Sequence, residues 1–497
     1  MHDDCNATVG YPTRFLADVT FGFTACWQWF RFKLIKVTEG TSWEFCRMRV
    51  TTPAFLLALL LAAISIAQEP SSRFDSLQMQ MLEGSVVPEF VTNGLSLDAL
   101  QSMALANNPT LRQAKAQVDA AQGAALQASL PPNPRVGFVA EQIGVNRTAG
   151  ELLGGSASQE FVRGDKLGLS HAKYCQRVQI AMTNLQVQEQ RVRNDVEIRF
   201  YQALAAQRLI EVAEQTMANA NDTVLTQREM LNMGQLGEAE VLQAEIALRR
   251  ASINQRQAHN DFDQARRELM SFVGVPDTPN TGLIGTLDTD LGPVDWDSAL
   301  SQLLSSSPEV VAARQKIRHD EIVIKRERAE PIPNVTAGLT SGYNAETQQT
   351  VAGVTVGMPI PIFNRNQGTV RQARADLNRS YAEVERLQLD LQNALAKQFR
   401  DYVSAWQHVQ EYEQTMLPKS RRAVEILEQS YVDRRAPWTS VLAAKQMLLS
   451  LESEQIQNRL SYRMADISIR GNLLMGGLTE PNAPMSGGHI DANNQPR

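Results

Sequence analysis

The sequence predicts a mainly α-helical chain with a small β part, built from two copies of one helix–β-hairpin–long helical hairpin unit. Three observations carry this prediction. The chain repeats itself at an interval of about 200 residues; within each copy the hydrophobic period switches from helical to alternating and back; and one apolar seam keeps helical spacing far beyond the length of an ordinary globular helix.

The repeat shows first in the prolines. Asn107-Asn108-Pro109 is followed 25 residues later by Pro134, and Ser306-Ser307-Pro308 is followed 25 residues later by Pro333. Further on, Arg199 and Tyr201 match Arg400 and Tyr402, Val241-Leu242 matches Val441-Leu442, and Gly274 matches Gly476. The offset drifts only between 199 and 202, which describes one duplication with few insertions.

Each copy opens with a helix near Asp98 or Asp297. Proline pairs should end it, because proline lacks an N–H and pushes the residue before it toward extended backbone. The period then becomes two. Val335, Ala337, Leu339 and Tyr343 alternate with Thr336, Gly338, Thr340, Gly342 and Asn344; after a turn, Val354, Val356 and Met358 alternate with Gly353, Thr355 and Gly357. That is a hairpin with one apolar face and one small or polar face. The first copy is expected to have a strand from Val136 to Ile143, a Gly-rich loop around Gly150 to Gly155, and a second strand near Gln159 to Val162.

Helical spacing then resumes. Leu377, Tyr381, Val384, Leu387, Leu391, Leu395, Phe399, Tyr402, Trp406 and Val409 cover 32 residues in nine steps, close to the period of a straight helix. Residues 368–433 are expected to form one helix roughly 100 Å long at 1.5 Å per residue, kinked at Pro418, turning at Arg434 to Pro437 and returning to about Leu474. The first copy is expected to run from about Gly168 to Met233, turn at Gly234 to Gly237, and return to about Val273.

Two hairpins give four strands, too few to close a barrel, since known transmembrane barrels need about eight or more. Three chains would give twelve. The expected assembly is a trimeric β-barrel continued by an α-helical barrel, with the Gln-, Arg- and Glu-rich helix faces turned to water.

The N-terminus reads differently. Residues 1–47 hold ten of the 31 aromatic residues and three of the four cysteines. Met48-Arg49 then leads into an apolar run from Ala54 that closes Ser65-Ile66-Ala67, the pattern of a secretory signal peptide. Translation is therefore expected to begin at Met48, with 1–47 a spurious upstream extension, 48–67 the signal peptide and 68–94 a linker. Repeat 1 is expected over 95–275, a linker over 276–293, repeat 2 over 294–476, and a disordered tail over 477–497.

A net charge of −6 gives no electrostatic reason to expect nucleic acid as a partner. No phosphate loop, dinucleotide fingerprint, zinc-protease motif or nucleophile elbow is present, so no catalytic residue, no enzyme activity and no cofactor is expected. His171, His259, His319, His408 and His489 include no pair at metal-ligand spacing, and His408 with Glu411 lacks the second such motif a di-metal bundle needs; no metal site is expected.

Leu95-Ser96-Leu97-Asp98-Ala99-Leu100 through Asn108-Pro109, the prolines before each hairpin, the duplication, and Val-Leu-x-Ala after each tip turn together resemble the TolC-like outer membrane efflux proteins over roughly residues 95–475. Pro359-Ile360-Pro361-Ile362-Phe363-Asn364 through Gly368, and Glu160-Phe161-Val162 with Gly164-Asp165-Lys166-Leu167, are similar to the cobalt-zinc-cadmium and copper, or heavy-metal, branch. The resemblance implies a homotrimer in outer membrane lipid with a long periplasmic portion. It also implies a periplasmic adaptor (membrane fusion) protein and an inner-membrane RND-type pump as partners, and passive conduction of substrates, heavy-metal cations on the branch likeness.

Within that reading Gly234, Gln235, Leu236 and Gly237, with Arg434, Arg435, Ala436 and Pro437, are the expected adaptor-docking tips. Family members carry an acid before the tip Val-Leu; here those positions are Glu240 and Ser440, the candidate pore gate, and Ser440 departs from the acidic pattern. Pro132, Pro134, Pro331, Pro333, Pro359 and Pro361 are expected at helix-to-strand junctions. The competing reading, a periplasmic coiled-coil scaffold or interaction protein without a pore, would share the long helices but does not call for hairpins with alternating faces.

Overall fold

The computed structural model describes residues 94–141, 152–277, 282–288 and 294–484. The expected upstream extension, signal peptide and nearly all of the first linker lie outside these residues.

In copy 1, α1 (Leu97–Asn107) and α2 (Pro109–Ser129) precede β1 (Arg135–Glu141) and β2 (Leu152–Phe161), followed by α3 (Lys166–Asn232) and α4 (Glu238–Val273). In copy 2, α5 (Trp296–Ser306) and α6 (Pro308–Ala329) precede β3 (Val335–Asn344) and β4 (Gln349–Gly357). Then come α7 (Gln367–Glu411), a π-helical turn (Tyr412–Met416), α8 (Leu417–Val432) and α9 (Trp438–Arg470).

Each opening helix is two helices rather than one. Asn108 has φ −63° and ψ 125°, off the helix, and its side chain accepts the Thr110 N–H at 2.9 Å; Pro109 then starts α2 without needing a donor. Ser307, with φ −59° and ψ 120°, makes the same backbone break before Pro308 between α5 and α6, but without a side-chain cap. The N-caps Ser96 and Asp295 accept N–H groups of Ala99 and Ser298.

The four strands form one antiparallel sheet in the order β1-β2-β3-β4. Leu339 pairs with Val354 and Ala337 with Val356, so the apolar residues of β3 and β4 share a face; Val136 opposite Ala157 and Phe138 opposite Gly155 extend it across β1 and β2. The other face carries Ser156, Ser158, Thr336, Gly338, Thr340 and Thr355. β2 begins seven residues earlier than the alternation suggests, absorbing Gly154 and Gly155. A side chain at Gly154 would lie 2.2 Å from the Ser341 carbonyl oxygen, so this close approach of β2 to β3 requires glycine and hides the strand from a hydrophobic pattern.

α3 is unbroken for 67 residues, roughly 100 Å at 1.5 Å per residue. Its counterpart is not a single helix kinked at Pro418: the break is the π turn just upstream, since Pro418 has no N–H to return to Gln414 and the wider turn absorbs the lost bond.

Two cores repeat the duplication. Leu100, Leu111, Val196, Phe200, Leu204 and Leu269 close the first, joined by Leu283 and Leu287 from the connector; Leu303, Val310, Leu395, Tyr402, Val409 and Tyr462 close the second. α3 packs against α2, α4, α6 and α9, so the copies meet along it. Residues 477–482, expected to begin a disordered tail, are instead held on α3. Gln188 donates to the Gly477 carbonyl at 2.9 Å, and Asn184 to that of Asn482 at 3.0 Å.

Candidate functional site

The junction between helices and sheet is built from prolines and one asparagine. Pro132 and Pro134 lie in the connector from α2 to β1, Pro331 and Pro333 between α6 and β3, and Pro359 and Pro361 between β4 and α7. The chain there makes no helical ladder, which suits a residue without a donor. Asn334, next to Pro333, ties the elements together. Its Nδ2 donates to Glu160 at 2.7 Å, and its Oδ1 accepts from Lys166 at 3.1 Å and from the Arg163 N–H at 3.3 Å. On the α7 side, Asn366 donates to the Glu327 carboxylate at 2.7 Å. Asp165 and Asn366, one before each long helix, both have positive φ, 54° and 58°. Sequence reasoning missed Asn334; its only signal was its place in a proline-bracketed run.

Below the sheet's apolar face the chain continues Met358, Ile360, Ile362 and Phe363, all exposed. Val136 (84% exposed), Phe138 (75%), Val354 (75%) and Val356 (72%), which share one face of the sheet, make it an exposed apolar band. Among the described residues no helix is long and apolar enough to cross a membrane, and no cluster of three or more His, Cys, Asp or Glu residues could hold a metal ion.

At the far end the two tips have one backbone solution. Gly234 has φ +70° and Arg434 φ +59°. The Gln235 N–H donates to Met230 O at 2.8 Å, and the Arg435 N–H to Ser430 O at 2.7 Å. These are equivalent left-handed C-terminal caps, occupied by glycine in one copy and arginine in the other. Gln235, Gly237, Arg435 and Pro437 are exposed, while Leu236 and Ala436 are half-buried. Around the second tip Tyr431 and Trp438 pack with ring centroids 4.9 Å apart and planes inclined at 50°, and Lys445 lies over Trp438 and pairs with Glu428 at 2.9 Å. This aromatic pair was not singled out from sequence, because the two residues lie on different helices on either side of the tip turn and no backbone period carries across it.

The tip Val-Leu pairs differ. Val241 and Val441 are both buried, but Leu442 is buried and Leu242 is 51% exposed. Leu442 sits against α3, where Asn219 donates to its carbonyl at 3.1 Å. Glu240 is exposed in the first turn of α4, and Ser440 is half-buried in the first turn of α9. The structure brings neither to the other.

The profile of the family described as "Outer membrane efflux protein" matches residues 100–275 and 299–473. The cobalt-zinc-cadmium resistance protein CzcC of Cupriavidus metallidurans is 22% identical over 370 residues, covering 73% of this chain and 86% of that protein. The outer membrane efflux protein BepC of Brucella suis is 26% identical over 255 residues, 47% of this chain and 52% of BepC. Among solved structures, CusC superposes with a TM-score of 0.60 at 17% identity over 76% of this chain and 92% of CusC. VceC of Vibrio cholerae gives 0.60 at 16% identity over 76% and 96%.

Proposed function

The chain belongs to the outer membrane efflux protein family, and from that premise we propose that it works as a homotrimer, with three four-stranded sheets closing one twelve-stranded barrel and the long helices forming a tube into the periplasm. It is an outer membrane channel component of the efflux machinery.

One observation carries the trimer: a sheet with two free edges, β1 and β4, whose apolar face is exposed. Open edges are not tolerated in lipid, because each unpaired backbone group there costs several kcal/mol, about 2–7 by transfer estimates. Pairing β4 of one protomer with β1 of the next satisfies both edges. The apolar band then faces lipid and the Ser, Thr and Gly face lines water.

A tube about 100 Å long needs something to load its lower end. The tips, with exposed Gln235, Arg434 and Arg435, are the docking surface for a periplasmic adaptor linked to an inner-membrane RND-type pump. Glu240 is the pore-gate carboxylate, and Ser440 leaves the second copy's gate position uncharged. Heavy-metal cations are the proposed cargo, supported by the name of CzcC and by that of the nickel-cobalt-cadmium resistance protein NccC of Alcaligenes xylosoxydans, 24% identical over 302 residues, 58% of this chain and 66% of NccC.

Purified from outer membranes in detergent, the protein is expected to run as a trimer by light scattering and to conduct ions in planar bilayers. A water-soluble monomer that conducts nothing would overturn this reading.

A further inference from the structure

Copy 1 and copy 2 meet inside one chain at the helix–sheet level. The connector after β2 (162–165) lies against the connector before β3 (330–334): a Cβ added at Gly164 would lie 2.7 Å from Ile332 Cδ1, and Asn334 bonds Glu160, Lys166 and the Arg163 N–H. Lower down, Gln315 and Arg326 of α6 reach α3, one accepting from Thr183 and the other donating to Ser170, each at 2.9 Å. A ring of three chains repeats this joint between copy 2 of one protomer and copy 1 of the next. The parts that then meet are α7 and the connector before it (358–366) with α2 and the connector after it (130–134). β1 begins where β4 ends, since Arg135 pairs with Ser158, Ser158 with Gly338, and Gly338 with Thr355.

The positions this joint covers inside the chain are uncovered at its outer edge. At the repeat offset of 199, Gln315, His319, Arg326 and Ala329 of α6 correspond to Ala116, Ala120, Gln127 and Leu130; the first four are half-buried or buried, and the second four are all exposed. Gly123 lies on the same stripe of α2. A Cβ there would meet nothing within 4 Å, so the protomer itself supplies no reason for a glycine that weakens the helix. The connectors differ as well. Four residues join β2 to α3 but nine join β4 to α7, although both stretches end on a left-handed residue, Asp165 and Asn366. The longer one is stiff: Pro359 and Pro361 each fix a φ angle, the Ile362 N–H donates to Ile360 O at 2.9 Å, and Gln367 donates to Phe363 O at 3.3 Å. It holds Ile360, Ile362 and Phe363 outward, the last 89% exposed. Neither 120–134 nor 347–364 contains a charged residue, a Trp or a Tyr.

We propose that Pro359–Phe363 is an assembly strap whose partner is a second copy of this chain, docking on Leu130 and the small-residue stripe at the end of α2 in the next protomer. The internal joint holds with Asn334 and its polar bonds, because one chain carries both halves. The joint between chains must also offset the freedom lost on association, which buried apolar surface does. Both of its halves are enlarged together: Leu130 stands where copy 2 has Ala329, and the strap stands where copy 1 has only the short connector around Arg163 and Gly164. Lipid is the poorer occupant, since a chain resting at the headgroup level is held by Trp, Tyr, Lys or Arg, which both surfaces lack. This inference rests on the trimer reading above.

The test uses the full-length protein in detergent, with the wild type treated alongside as the control for its own cysteines. Phe363→Cys and Leu130→Cys, placed on separate chains and coexpressed, should be joined by a short bismaleimide into a covalent dimer on denaturing gels, whereas neither variant alone should be. Phe363→Lys or Leu130→Glu should shorten the half-life of the trimer in warm detergent about tenfold, and the two together should recover most of it. Trimers whose coexpressed cysteines stay unjoined, or a charge pair no longer-lived than the worse single variant, overturn the strap while leaving the trimer standing. Quenching of Phe363→Trp by brominated lipid as strong as that of Phe138→Trp gives the strap to lipid and likewise overturns it. A wild type that is monomeric in detergent overturns the trimer reading itself.

Discussion

The Asp195 carboxylate in α3 accepts the backbone N–H of Gly476 at 3.0 Å, across 281 residues of sequence, and that of Gly477 beside it. One side chain thus fastens the end of copy 2 onto the long helix of copy 1. Burial of the carboxyl raises its pKa, and this outweighs the two N–H groups, Arg199 and Arg191, which lower it.

The sign follows from linkage. A carboxyl with a folded-state pKa above its unfolded value binds its proton more tightly when folded, so stability from this group is full below the ordinary carboxylate range and is lost as pH rises through the raised value. Asp195→Asn keeps an acceptor oxygen and removes the titration. Relative to the wild type, its thermal midpoint in detergent should gain as pH is raised from about 4 to 8. Burial also raises Glu197, which is present in both proteins and cancels in the difference. Parallel midpoints across that range would contradict the assignment.

The glycines that end copy 1 and its tip predict unequal costs for one substitution. At Gly274, φ is +86° and an added Cβ would meet the Asn107 carbonyl group at 3.0 Å; at Gly234, φ is +70° and nothing lies within 4 Å. Gly234→Ala should cost about 1 kcal/mol, the left-handed penalty alone. Gly274→Ala should cost about 2–4 kcal/mol, because the Asn107–Pro109 break must also shift. Denaturant unfolding of detergent-solubilised protein reads both, and equal costs would refute the packing argument.

In the sheet, Gly154→Val should abolish heat-resistant trimer, because its Cβ would overlap the β3 backbone. Gly353→Val, on the same small-residue face with open space around it, should assemble normally. Gel mobility of unheated outer membrane samples separates the two. Assembly of both would mean that β2 and β3 do not approach as closely as described.

Reversing the second tip with Arg434→Glu and Arg435→Glu should leave conductance and trimer content unchanged while weakening adaptor capture about tenfold or more, as loss of paired charge at an interface does. Arg434 holds a left-handed cap, so Arg434→Gly serves as the backbone control and is expected to fold at least as well. Full adaptor binding by the double reversal would move the docking surface elsewhere.

Much of this was legible in one dimension. The duplication, the hairpins and the extent of the long helices follow from spacing, because 3.6- and 2-residue periods are imposed by backbone geometry, and proline marks the junctions wherever a donor is missing. Even the equivalence of Arg434 to Gly234 lies in the 200-residue offset. Other features were not legible. β2 hides in glycines whose reason is a neighbouring strand; the π turn displaces a break expected at Pro418; and Asn334 earns its place from Glu160 and Lys166, more than 160 residues away.

The sequence by itself determined the unit, its repetition and its two kinds of surface, since these depend on neighbours within a few residues. Only the tertiary structure decided how the copies lock together. Asp195 on Gly476, Asn219 on Leu442, and Arg459 between Glu413 and Asp288 join positions that no local period relates, and such bonds exist only once the helices that carry them are side by side.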